Sequence, residues 1–157
     1  MTTAQRHEVF LKELRYQDWE LVFAWRQDPE VTKTLPTQER APTWAQHVRW
    51  IQGFKGSQWL ILVAGLPGLG RKEQRYVGMV QVKDDGEVGI LIGARDVWGK
   101  GIATGALRGL LEMEWDMPLW AVILPDNEVS GKLFARAGFV NTHQSERTGQ
   151  ERWELKR

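Results

Sequence analysis

Residues 58 to 115 run in one fixed order: QWLILVAG (58–65), RYVGMVQVK (75–83), Asp84-Asp85-Gly86, EVGILIG (87–93), the loop ARDVWGKG, then IATGALRGLLEMEW (102–115). The Asp-Asp-Gly step is a hairpin signal. The three runs therefore read as an antiparallel meander that empties into a glycine loop and a helix. Ala103, Ala106, Leu107, Leu110 and Leu111 hold the helical spacing. The first turn of a helix leaves N–H groups unpaired at a positive dipole end, where a phosphate is well placed. Gly99 and Gly101 let such a group approach the backbone, Lys100 adds a cation, and the Thr104 hydroxyl can add a donor. By itself the stretch fits a ligand-free strand-to-helix turn equally well. The order excludes two nucleotide folds. A dinucleotide fold places Gly-x-Gly-x-x-Gly after its first parallel strand, whereas here a meander comes first and Thr104 stands at the third glycine. A phosphate loop of the Gly-Lys-Ser/Thr kind is absent.

The flanks complete the plan. VFLKEL (9–14) alternates as a half-buried strand. Asp18 is placed to cap a helix through Trp25, with Trp19, Val22 and Trp25 on one face and Asp28-Pro29 at its end. A second short helix lies within 39–54, capped by Thr43, with Trp44, Val48 and Ile51 as its stripe. LPGLGRKEQ (66–74) reads as a turn. LWAVIL (119–124) is almost wholly apolar, as in a strand covered on both faces. A helix over 128–137 ends at Gly138, with Val129, Leu133 and Ala137 on one stripe, and FVNTHQ and RWELK form a last strand pair. The expected fold is one α/β domain over residues 1–157, with a mixed sheet of about seven strands and helices on both faces.

Composition removes several functions. With 21 Lys and Arg against 20 Asp and Glu, the net charge of +1 marks no nucleic-acid or membrane partner. There is no cysteine, hence no thiol nucleophile or cysteine–zinc site. His7, His47 and His143 are scattered, so no metal site is expected. The polar MTTAQRHEVF shows no signal sequence, and no apolar run nears the ~20 residues of a membrane span. A cytoplasmic protein, monomeric or homodimeric, is expected. Nine tryptophans are an excess, and core packing competes with ligand stacking for each of them.

Two spaced blocks carry a resemblance. Trp98-Gly99-Lys100-Gly101-Ile102-Ala103 overlays Gln/Arg-x-x-Gly-x-Gly/Ala, with Gly101 and Ala103 matching and Trp98 in the Gln/Arg place. Asn127, Ser130, Leu133, Phe134, Gly138 and Phe139 keep the spacing of Asn-x-x-(Ala/Ser)-x-x-Leu-Tyr-x-x-x-Gly-Phe. With the element order, these resemble the GNAT superfamily of N-acetyltransferases over essentially the whole chain. The tryptophan in WGKG is similar to the branch that acylates amino sugars and protein N-termini.

The resemblance implies acetyl-CoA as donor, its pyrophosphate on the amides of residues 99–104. It implies a V-shaped slot between the fourth and fifth strands, where pantetheine pairs with backbone near Leu91 and Ile92, as an added strand would. Asn127 would touch the pantetheine arm or simply cap its helix. Phe134 lines the same site, in a position where many members carry a tyrosine acid. An attacking amine must lose a proton, since an alkylammonium has a pKa near ~10.4. The resemblance gives that task to Glu87, which a plain hairpin-end charge also explains, and gives the thioester oxygen to the N–H of Leu91 or Ile92.

The expected acceptor is a small-molecule amine. WELVFAWRQDPEV followed by TWAQHVRWI is similar to the WRN…H…W pattern of nucleotide-linked amino-sugar N-acetyltransferases. Arg26, like Arg49, would meet a phosphate, Trp25, Trp44 or Trp50 would stack, and His47 lies among them. A helix-end ion pair of Arg26 with Asp28 or Glu30 is the competing reading. Protein N-terminal acetylation, aminoglycoside acetylation and a non-catalytic coenzyme A module stand as alternatives.

Overall fold

The computed structural model describes residues 7–33, 35–36, 40–66 and 73–156. The turn expected at 66–74 lies mostly outside them. β1 (Glu8–Glu13) leads to α1 (Trp19–Arg26), α2 (Pro29–Thr32) and α3 (Trp44–Gly53). The meander follows as β2 (Gly56–Ala64), β3 (Gln74–Lys83) and β4 (Val88–Ile92). Then come α4 (Ile102–Leu111), β5 (Trp120–Ile123), α5 (Glu128–Arg136), β6 (Phe139–Gln144) and β7 (Glu151–Leu155).

The seven described strands do not form one continuous sheet. β1-β2-β3-β4 is antiparallel throughout, and β5-β7-β6 is a second antiparallel sheet. A parallel bridge between Glu87 and Trp120 joins them. Beyond it β4 and β5 share no ladder, which is the V expected between the fourth and fifth strands. Period-two alternation assigns the faces. Val88, Ala121 and Ile123 enter the larger core with Ile102, Ala106, Leu107 and Leu110 of α4. Leu91 faces the opposite core, built with Val22, Trp25, Val31, Leu60 and Met79 under α1 and α2.

Local chemistry sets several boundaries. Thr43 accepts from the Gln46 N–H at 3.2 Å while Gln46 accepts from the Thr43 N–H at 2.9 Å, a reciprocal cap for α3. Asp18 does not cap α1 through its side chain; its carboxylate accepts from the Arg15 N–H at 2.9 Å. Asp28 caps α2, accepting from the Glu30 N–H at 3.0 Å. α4 stops at Leu111, short of Trp115, and the Trp115 indole donates to the Leu110 carbonyl at the helix end at 2.9 Å. The inward stripe of α3 is His47 and Ile51, not Trp44, which is exposed.

Candidate functional site

The glycine loop leaves β4 and ends at α4. Gly99 has φ +79° and Gly101 φ +76°, the left-handed region that an L-residue enters at a cost of about 1–2 kcal/mol. A Cβ on either would meet nothing within 4 Å. Conformation, not room, therefore demands glycine, and the space above both residues is open. Gly101 is the N-cap of α4 and no side chain caps the helix. The start of α4 thus offers amides, a dipole end and clear space, which fits a diphosphate. Lys100 and the Trp98 ring are exposed beside it. Ile102 is buried in the core, while Ala103 and Thr104 are half-buried on the first turn.

The β4 edge can be read group by group. Lys83 N–H donates to the Glu87 carbonyl at 2.9 Å, and Gly93 N–H to the Val77 carbonyl at 2.9 Å. The register between them is unbroken. Odd-numbered residues of β4 therefore turn their backbone groups to β3, and Val88, Ile90 and Ile92 turn theirs toward the split. Ile92 has the expected orientation. Leu91 does not: its N–H and C=O fall on the β3 side, and Ile90 takes its place on the open edge.

Glu87 sits at the apex, where the two sheets still touch. Its side chain is one-quarter exposed and pairs with Lys83 at 3.2 Å. Trp120 closes the apex, its N–H donating to the Gly86 carbonyl and its indole to the Asp85 carbonyl, both at 3.1 Å. The Arg152 guanidinium lies 3.9 Å from the Trp120 ring and bonds Glu154 at 3.0 Å. Sequence reasoning missed Trp120 and Arg152, although alternation within LWAVIL puts Trp120 and Val122 opposite Ala121 and Ile123.

Over the meander, Arg26 and His47 act as one unit. His47 is fully buried; its Nε2 lies 2.8 Å from the Trp19 carbonyl and its Nδ1 2.9 Å from Arg26. A carbonyl only accepts and a guanidinium only donates, so the ring is neutral with its proton on Nε2. The Arg26 guanidinium stacks 4.2 Å from the Trp50 ring. Asp28 pairs with Arg95 at 2.8 Å and Glu30 with Lys33, so those acids engage other cations. Trp44 stands half-open against Phe23, centroids 5.3 Å apart. A groove of ≈ 430 Å³ alongside is lined by Arg49, Trp50, Gly53, Phe54, Lys55 and Lys83.

Four further expected site residues belong to the interior or to local structure. Trp25 is buried against Gly93, part of the core under α1. Phe134 is buried edge-on to Phe139, centroids 4.9 Å apart. Asn127 caps α5, accepting from the Ser130 N–H at 3.2 Å. His47 supports Arg26 rather than presenting a surface of its own.

Burial and the Arg26 charge hold the His47 pKa below the usual histidine value of 6.5. A depressed histidine pKa means the unfolded state binds more protons between the two values. This contribution is therefore complete above the unfolded pKa and shrinks as pH falls below it. Urea unfolding at pH 7.5 and 5.5 should give a lower stability at the acid pH. The part due to His47 is read as the difference that disappears in His47→Gln.

Among the described residues no His, Asp and Glu are grouped to hold a metal ion, and no helix is long and apolar enough to cross a membrane.

Comparison with known proteins adds to this geometry. The model of an acetyltransferase (GNAT) domain family matches residues 8–140. An uncharacterized protein of Methanocaldococcus jannaschii, MJ1062, is 30% identical over 145 residues, or 86% of this chain. The chain spans only 28% of the length of that relative. A crystallised domain from the same organism has 27% identity and a TM-score of 0.82, covering 96% of this chain and 99% of the other. An aminoglycoside acetyltransferase, AAC(6')-Ib, in complex with coenzyme A has a TM-score of 0.75 at 16% identity, covering 96% and 95%. Spermidine N-acetyltransferase from Vibrio cholerae, with coenzyme A and spermine, has a TM-score of 0.72 at 15% identity, covering 94% and 93%. Below 25% identity these last two share the fold.

Proposed function

The chain belongs to the GNAT acetyltransferase family, and from that premise we propose that it transfers an acetyl group from acetyl-CoA to a primary amine, directly, with both substrates bound. One observation carries the reading: the β4–β5 split begins at the backbone bridge of Glu87, whose carboxylate lies on Lys83, and β4 runs from there into the loop that ends at the bare amides of α4. When bound, acetyl-CoA supplies an activated thioester. The amides at residues 101–104, with Lys100, hold its diphosphate. The open edge of β4, through Ile90 and Ile92, pairs with its amide-bearing arm, and one of those N–H groups faces the thioester oxygen as charge builds on it. Glu87 takes the amine proton directly or through water. Phe134 has no proton to give, so the thiolate is protonated from solvent. Holding the two reactants together supplies much of the rate.

The acceptor we favour is a nucleotide-linked amino sugar. Arg49, Lys55 and Lys83 around Trp50 and Phe54 suit an anionic, ring-bearing amine. The same cations disfavour a polycation, the class on which the aminoglycoside and spermidine enzymes act. A free-thiol release assay over nucleotide-linked amino sugars, peptides with free N-termini, aminoglycosides and polyamines tests this. Turnover confined to the polycations would overturn the acceptor assignment, and no turnover with any amine, despite acetyl-CoA binding, would favour the non-catalytic module. On the preferred acceptor, Glu87→Gln should lower kcat about 100-fold at neutral pH with KM for acetyl-CoA unchanged. An unchanged kcat removes Glu87 as the base.

A further inference from the structure

The open edge of β4 is short because both of its ends are taken. At the apex the Gly86 carbonyl accepts the Trp120 N–H at 3.1 Å. At the wide end the Ile92 carbonyl accepts the Trp98 indole N–H at 3.0 Å. Between them lie the backbone groups of Val88 and Ile90 and the Ile92 N–H, turned toward the split. Trp98 is also the residue that opens the glycine loop, with its backbone N–H on the Arg95 carbonyl at 3.1 Å. One side chain therefore ties the loop that carries the bare amides to the last cleft-facing carbonyl of the strand. Its ring is 43% exposed, and this hydrogen bond fixes the direction in which the indole points.

We propose that Trp98 is a positioning residue for the donor: its indole ends the pairing edge of β4 and fixes the distance from that edge to the anion cradle at Gly99 and Gly101. The inference rests on the acetyl-CoA reading above. A ligand that engages cradle and edge together gains from having their spacing set in advance, since the second contact is made within one molecule. A ligand that touches the cradle alone gains nothing from it. With Trp98 in place, the Ile92 carbonyl already holds one hydrogen bond, so the Ile90 carbonyl is the better acceptor for the donor arm.

The test compares two ligands by calorimetry on the wild type and on Trp98→Phe, which keeps a ring and loses the N–H. Coenzyme A engages cradle and edge; adenosine 3′,5′-bisphosphate reaches the cradle end only. The expected result is a Kd for coenzyme A weakened roughly fivefold to tenfold, with less than twofold change for the bisphosphate. KM for acetyl-CoA should rise in parallel while kcat is kept. The unliganded melting temperature should barely move, since the ring is exposed. Equal weakening of both ligands, or none, overturns the positioning role while leaving the acetyl-CoA reading intact. A wild-type protein that binds neither ligand overturns both.

Discussion

Gly101→Glu should erase the thermal stabilisation by acetyl-CoA while leaving the unliganded protein folded. At a ligand concentration 100 times Kd, one-site binding adds about 2.7 kcal/mol to stability. For a domain of this size that is roughly 5–10 °C in Tm. The glutamate places a carboxylate over the bare amides where the diphosphate would lie, so occupied cradle and bound donor exclude each other. Strain at φ +76° costs about 1–2 kcal/mol. Attraction of the carboxylate to the helix start returns about 0.3–1 kcal/mol. The unliganded Tm should thus fall by only a few degrees. Gly101→Ala separates the two effects, because it carries the strain without the charge and a Cβ there meets open space. It should keep a ligand-induced shift that Gly101→Glu loses. A full shift in Gly101→Glu would place the diphosphate elsewhere.

Gly93→Ala should be strongly destabilising. A Cβ at Gly93 would overlap the Cγ, Cδ1 and Cδ2 atoms of the Trp25 indole. That ring cannot retreat, because it is wedged among Val22, Val31, Leu60, Met79 and Leu91. Overpacking of this kind costs about 1–3 kcal/mol and more where the neighbour is rigid. We expect a Tm lowered by about 10 °C. Shrinking the neighbour should recover part of the loss, so Trp25→Leu with Gly93→Ala should be less destabilised than the sum of the single variants. Strict additivity would show that the backbone at Gly93, not its contact with Trp25, sets the cost.

Most of the element plan was legible because the meander strands and the longer helices carry their own period; α2, a single turn begun by Pro29 where a helix end was expected, carries none. The meander, the apolar Leu119–Leu124 run and the α4 stripe each repeat locally, and their order permitted few topologies. The V was foreseen through family likeness rather than through any residue of β4 or β5. What the chain hides is set by pairing across distance. Whether Leu91 or Ile90 faces the split depends on the β3–β4 register, which the Lys83–Glu87 hairpin fixes. Trp120 and Arg152 meet only because β5 pairs with β7. Trp25 carries the same helical spacing whether it faces a ligand or a core, and only the bare Gly93 beneath it decides. Phe134 keeps its place in a recognisable block while its ring turns inward onto Phe139. His47 looked like a binding residue because it neighbours tryptophans; its burial instead makes it the buttress of Arg26.

The parted β4 and β5 also bear on solubility. An unpaired strand edge is an invitation to foreign strands, and proteins commonly blunt it with charge, proline or a bulge. Here both central edges are bared toward each other, the inner walls of a wedge pinned at Glu87 and Trp120. A stray strand cannot dock there sideways as it would on an outer edge; it must slide in lengthwise from the wide end. The chain thus keeps two adhesive edges available to a slender guest while denying them to its own kind.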